Sequence, residues 1–368
     1  MPQSLHGAVA RGKVLGRPAL RGPFSLVSER SVMPHPPLII DVTRGTLVES
    51  RHRCIAAVAG PDGGVVRSWG DIEQPIYGRS AIKPLLALAL VETGAADAFG
   101  LDDAEIALAC ASHSGEPRHV ETVRAWLRRI GLSAADLECG AHMPYDEPSM
   151  RALVAAGQAP DAAHNNCSGK HTGFLTTAVH LGEPTRGYIR YEHPVQQRLL
   201  GVLEQTCGLD LSAAPRGVDG CGIPTIGIPL GNTAMAMARL ADPVELPPER
   251  AMAAKRVVAA MMAEPYMVGG RGEFASVLMD GAAGKLALKP GAEGVYAGIL
   301  PGLGLGICVK AEDGTSRAAQ VAVGRILEEL GVFTAAERRA LADRLTPPVL
   351  NRVGLEVGRI QLAEKAAF

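Results

Sequence analysis

The chain is poor in rings and in charge: aromatic residues make up 4% of its 368 positions and charged ones 20%. Its core must therefore be packed from Ala, Leu and Val rather than from aromatic side chains. Net charge is lacking as well, with 37 basic residues against 38 acidic ones. No long-range field is left to attract nucleic acid or an anionic membrane surface, and neither is expected as a partner. Long hydrophobic runs are missing; stretches such as 84–91 fall well short of the roughly 20 residues needed to cross a bilayer. The seven cysteines (Cys54, Cys110, Cys139, Cys167, Cys207, Cys221 and Cys308) are odd in number, scattered and never in a Cys-x-x-Cys spacing. No disulfide framework is expected, and a reducing cytoplasm suits them.

What is present is a high content of small residues, 43 of them glycine, and a clear change of period along the chain. Residues 1–36 carry Arg11, Lys13, Arg17, Arg21 and Arg30 against the single acid Glu29, without the apolar core of a secretory signal. They read as a disordered N-terminal extension. Strand patterns follow at 38–43, 54–59 and 65–69, the last two joined by Pro61-Asp62-Gly63-Gly64, a strong hairpin signal. After Pro75 the period becomes helical, with Ser80 in capping position ahead of Ile82, Leu85, Leu86, Ala89 and Leu90. Helical patterns then run over 119–130, 148–156, 171–181, 194–205, 233–240 and 248–262. Strands return at 286–288, 295–300 and 306–311 before a helix over 316–330. This predicts an α/β fold of the α+β kind, an antiparallel sheet flanked by helices and built from 37–78 and 286–368. A large, mainly helical domain is inserted over 79–285, and the active site is expected in the cleft between the two.

Three constellations and one further lysine can carry chemistry. In Arg79-Ser80-Ala81-Ile82-Lys83 the i, i+3 spacing puts hydroxyl and amine on one helix face, and a lysine whose pKa is lowered by burial or a neighbouring cation can serve as the base for a serine. On spacing alone, a capping serine followed by a surface lysine is the commoner meaning of Ser-x-x-Lys. Context favours the chemical one, because the chain has only eight lysines and Lys83 opens an unusually apolar segment. Cys110-Ala111-Ser112-His113-Ser114-Gly115-Glu116 follows an apolar segment and offers a hydroxyl that relays a proton or, equally, a turn cluster before the next helix. Asn165-Asn166-Cys167-Ser168-Gly169-Lys170-His171 and Asp219-Gly220-Cys221-Gly222 together offer two thiolates and a nitrogen donor, a partial zinc set. Two buried cysteines with a helix-start lysine would produce the same pattern. The Gly169-Lys170 pair is no phosphate loop, since His171 replaces the hydroxyl residue and His164 the first glycine. Lys289, at the edge of the returning strands, is placed to face Ser80 across the cleft. Gly302-Leu303-Gly304-Leu305-Gly306 lacks dinucleotide-loop spacing and reads as a tight turn.

Taken together these motifs resemble the rhizobial-type L-asparaginases, the asparaginase II-like family, over residues 38 to 330. The resemblance rests on 49–53, Arg79 to Pro84, Ala109 to Glu116, Asn165 to His171, Asp219-Gly220-Cys221 and Gly291 to Val295, all in family order. It implies a serine β-lactamase or glutaminase-like fold and hydrolysis of L-asparagine to L-aspartate and ammonia. It also implies a double Ser-Lys arrangement of Ser80 with Lys83 and Ser112 with Lys289, for which Lys285 is the competing second lysine. Arg79 and His113 are the candidate substrate-binding residues. Cys167, Lys170 and Cys221 match the family's zinc site, with Asp219 supporting it and the metal tuning the pocket rather than activating the nucleophile. Gly222 departs from the small hydroxyl residue expected there. A homodimer is implied. The alternatives are a glutaminase or other amidohydrolase on the same fold, or a non-catalytic zinc-binding homologue; the lack of a Lys-Thr-Gly triplet counts against β-lactams.

Overall fold

The computed structural model describes residues 35–363, so that the extension expected over 1–36 lies almost wholly outside the described residues. Strands from both ends of the chain form one antiparallel sheet: β1 (Leu38–Arg44), β2 (Leu47–Ala59) and β3 (Val65–Trp69) from the first, and β7 (Ala287–Gly291), β8 (Val295–Leu300), β9 (Leu305–Ala311), β10 (Pro348–Leu350) and β11 (Glu356–Leu362) from the last. Their order is β10-β11-β1-β2-β9-β8-β7, with β3 paired to β2. Between them runs the helical segment, so the expected α/β class with an antiparallel sheet is the class observed.

β2 is longer than its apolar pattern predicts. Its second half is buried, but residues 47–53 are mostly exposed and polar, and alternation cannot reveal them. They are strand because β1 pairs with them throughout. Arg51 stands opposite Asp41 in that register and donates to both carboxylate oxygens at 2.7 and 2.8 Å, a cross-strand ion pair of the kind that fixes register. The small-residue composition is used where helix meets sheet. The helix Leu230–Ala241, with its Ala-Met-Ala-Met-Ala run, lies so close to β9 that a Cβ on Gly306 would sit 2.1 Å from the Ala234 carbonyl oxygen.

Three further features differ from the sequence expectations. The helical segment also carries a small sheet in which β4 (Pro75–Tyr77) and β5 (Arg216–Val218) both pair with β6 (Pro224–Pro229); these strands are too short and too rich in Pro and Gly to show a period. β10 and β11 lie beyond the expected last helix, and β11 extends the sheet beside β1. Ser80 does not cap a helix. It is the second residue of a 3₁₀ turn, Arg79–Ile82, and the α-helix begins only at Lys83, where Pro84 fixes the first turn.

That turn is gripped by the sheet edge. A Cβ on Gly291, at the end of β7, would lie 2.7 Å from the Gly78 carbonyl oxygen and 3.0 Å from the Ala81 nitrogen. Both are backbone atoms that cannot swing away. Gly291→Ala is therefore expected to cost about 1–3 kcal/mol by overpacking, read as a lowered urea midpoint at unchanged slope. An unchanged midpoint would mean that the turn is free to move.

Candidate active site

The turn that carries Ser80 leaves β4 through Arg79, whose φ of 49° is in the left-handed region unfavourable to side chains. Ser80 is half-buried and makes no side-chain hydrogen bond among the described residues. Lys83 is only 1% exposed. Its Nζ donates to Ser112 Oγ at 3.0 Å, to Cys167 Sγ at 3.2 Å and to the Ala111 carbonyl. The amine thus turns to three acceptors on neighbouring loops rather than to Ser80, although both residues line one cavity.

Ser112 is held by backbone pairing on both sides. Its N–H donates to Val268 O at 3.0 Å, His113 N to Asn166 O at 3.2 Å and Ser114 N to Gly269 O at 2.8 Å. Glu116, buried, ties the same loop to 266–271: it accepts from Ser114 Oγ at 2.9 Å, Tyr266 OH at 3.1 Å and the Arg271 N–H at 2.7 Å. Gly270, at φ 129°, has no room for a Cβ against Ser114 Oγ. Sequence reasoning missed this support, for which the run Gly269-Gly270-Arg271-Gly272 was the available signal. Lys289, 1% exposed, donates to Ser112 Oγ at 2.8 Å. Lys285 instead pairs with Glu337 at 2.6 Å, far from this cluster in function if not in sequence.

Ser112 therefore lies between two buried amines. Burial lowers the pKa of Lys83, and burial followed by repulsion from Lys83 lowers that of Lys289 well below the ordinary lysine value.

The third cluster gathers where the helix Ser168–Leu181 begins. Lys170 Nζ donates to Cys221 Sγ at 3.0 Å. Hydrogen bonding from Cys221, reinforced by Lys83 and Lys170, holds the Cys167 thiol well below its usual pKa, while the same contact pushes Cys221 up. Burial opposes charge on Lys170, but the two sulfurs outweigh it and raise its pKa. Asp219 forms an ion pair with Arg79. Burial alone would raise its pKa; the Arg79 bond and the nearby Lys170 hold it at about 2. Gly222 has φ 90° in the turn that presents Cys221, which explains glycine where a hydroxyl residue was expected.

Among the described residues no group of three His, Cys, Asp or Glu side chains could hold a metal. The donors fit zinc only with the Lys170 amine as third ligand beside the two sulfurs, and Lys170 would have to shed its proton to bind. The structure places the expected substrate-binding residue His113 away from the cavity wall. His113 is fully buried, its Nε2 against Ser168 Oγ at 2.8 Å and its Nδ1 accepting from Gly115 N–H at 3.2 Å. With both nitrogens used it supports the loop from behind and does not line the cavity. The cavity itself has Arg79, Ser80, Lys83, Lys170 and Asp219 on its polar side and leucines and isoleucines opposite.

A model of the L-asparaginase II family matches residues 40–362, through to the last strand. No curated protein matches the chain. Among solved structures, a β-lactamase from Mycobacterium bovis matches at 15% identity over 79% of this chain and 95% of its own, with a TM-score of 0.36. A variant of simvastatin synthase from Aspergillus terreus matches at 14% identity over 70% and 86%, with a TM-score of 0.37.

The lowered lysines set a pH dependence. A free amine can take a proton from a hydroxyl and an ammonium cannot, so turnover is expected to be full at alkaline pH and to fall as pH drops through the lowered values, below the ordinary 10.5. The check is kcat/KM against pH; a limb that appears only near 10.5 would contradict the assignment.

Proposed function

The chain belongs to the L-asparaginase II family and is an amidohydrolase, and from that premise we propose that it hydrolyses L-asparagine to L-aspartate and ammonia through an acyl-enzyme on Ser80. The observation that carries this reading is Ser112 held at 3.0 and 2.8 Å from two buried lysine amines, next to the cavity that holds Ser80. A hydroxyl without hydrogen-bond partners on the cavity wall is free to attack. Two amines that resist protonation can receive and pass on its proton.

In the proposed sequence Ser80 Oγ bonds to the side-chain amide carbon and its proton passes to Lys83. The Ser80 backbone N–H faces the developing oxyanion. Lys83 touches Ser112, which delivers the proton to the amide nitrogen as the carbon–nitrogen bond breaks and ammonia leaves. Water then attacks the ester by the reverse relay. Burial weakens the hold of Lys83 on its proton, Lys83 in turn lowers Lys289, and Lys289 orients Ser112. Arg79 receives the substrate α-carboxylate, and Asp219, ionised in the cavity wall, answers the α-ammonium.

Cys167, Cys221 and Lys170 would hold zinc. When bound, the metal supplies a fixed positive charge that polarises a group at the pocket wall. With or without it, Lys170 forms part of the wall against which the substrate is oriented, and Cys167 is buried in contact with Lys83. Seven free cysteines accord with a reducing, cytoplasmic setting that leaves those thiols available, and we assign the protein there as a homodimer.

Ser80→Ala is expected to lower ammonia release from L-asparagine by at least about a thousandfold while thermal melting is unchanged; near-normal turnover would remove Ser80 as nucleophile. Chelation of zinc is expected to raise KM for L-asparagine with kcat largely kept, and loss of kcat at constant KM would give the metal a different role. L-Glutamine, assayed beside it, should be the poorer substrate, although one methylene shifts binding by only about 1–3 kcal/mol.

A further inference from the structure

The cavity at Ser80 is one of two that adjoin. The inner one has about 40 Å³ of free space and the outer one about 460 Å³. They share only Tyr191 and Pro224 among their lining residues. The partition is otherwise the β5–β6 hairpin: Pro224, Thr225 and Ile226 of β6 line the inner cavity, and their register partners Val218, Gly217 and Arg216 of β5 line the outer one. Pro224 is fixed in a paired strand. Tyr191, in the loop before the helix Pro194–Cys207, is the part of the wall that does not belong to a sheet.

Two contacts hold it in place. The Arg216 guanidinium lies 4.1 Å from the centre of the Tyr191 ring, a close cation–π contact. Gln197 Nε2 donates to the Tyr191 carbonyl at 2.7 Å. Arg216 forms no ion pair among the described residues, so its charge is spent on the ring. Tyr191 is also the sole aromatic residue that lines the inner cavity.

We propose that Tyr191, clamped by Arg216, is the specificity-determining wall of the site: it restricts the enzyme to primary amides by denying a substituent on the amide nitrogen passage into the outer cavity. This rests on the reading of the Ser80 cavity as the amide site. With the ring in place, ammonia fits as leaving group and an arylamine does not. With the ring removed, the two cavities join and the leaving group can extend into the larger one.

The test compares kcat/KM for L-asparagine with that for L-aspartic acid β-(4-nitroanilide) in the full chain and in Tyr191→Ala, Tyr191→Phe and Arg216→Ala. The anilide-to-asparagine ratio should rise at least about tenfold in Tyr191→Ala, rise less in Arg216→Ala and stay at the wild-type value in Tyr191→Phe, which keeps the ring. Should Tyr191→Ala fail to fold, as its melting curve would show, Arg216→Ala on the exposed strand decides. A ratio unchanged in folded Tyr191→Ala and Arg216→Ala, or a wild type that already cleaves the anilide as well as asparagine, overturns the wall while leaving the proposed reaction intact. A wild type that releases no ammonia from asparagine overturns both.

Discussion

The chemistry of the site depends on the burial of two lysine amines against one serine hydroxyl. Lys83 comes from the helix that follows the 3₁₀ turn and Lys289 from the edge strand of the sheet, and they meet at Ser112. Two ammonium groups so close in a dry setting would repel, and neither pairs with a carboxylate among the described residues; only the Cys167 sulfur, 3.2 Å from Lys83, favours charge there. Burial disfavours charge on both amines, and Lys83 lowers Lys289 further. That is the setting the proposed relay calls for, because an amine must be neutral to take a proton from a serine.

The rest of the fold keeps that meeting in place. β7 presses on the turn through Gly291, the loop 112–114 is paired with 268–269 on one side and 166 on the other, and Glu116 fastens the far end through three hydrogen bonds. The positive φ at Arg79 is backbone strain located where it aims functional groups, and glycine at 270 supplies φ 129° without that cost. The sulfur of Cys167 contacts Lys83 and shares the neighbourhood of Lys170, so the cysteine cluster and the lysine cluster are one continuous electrostatic unit. Change in either is felt by the other.

Much of this was legible in the amino-acid sequence, for identifiable reasons. β3 and β8 have the bounds that their alternation predicts, and the helices Pro194–Cys207 and Pro248–Ala263 start at the prolines that mark them. The polar half of β2 was not legible because its partner strand, rather than its own pattern, makes it extended. The small β4–β6–β5 sheet is too short to show a period. Within the site, motif spacing picked out Arg79, Ser80, Lys83, Lys170 and Asp219, which line the cavity, but could not show two environments: Ser80 lies in a 3₁₀ turn instead of capping a helix, and His113 is buried with both ring nitrogens hydrogen-bonded. Spacing brings residues near one another. It does not say which way a side chain turns when three acceptors compete for one amine.

The most direct measurement on the central claim is the protonation of the two amines, followed in protein labelled with ¹⁵N-lysine by the side-chain nitrogen resonances across pH, with Lys83→Met and Lys289→Met to assign them. The account predicts that the Lys289 signal passes to the neutral-amine position well below pH 10.5 and that of Lys83 below it, and that removal of Lys83 moves Lys289 back toward the ordinary value. Ammonium signals that persist for both residues up to pH 10.5 would contradict it, and with it the relay through Ser112.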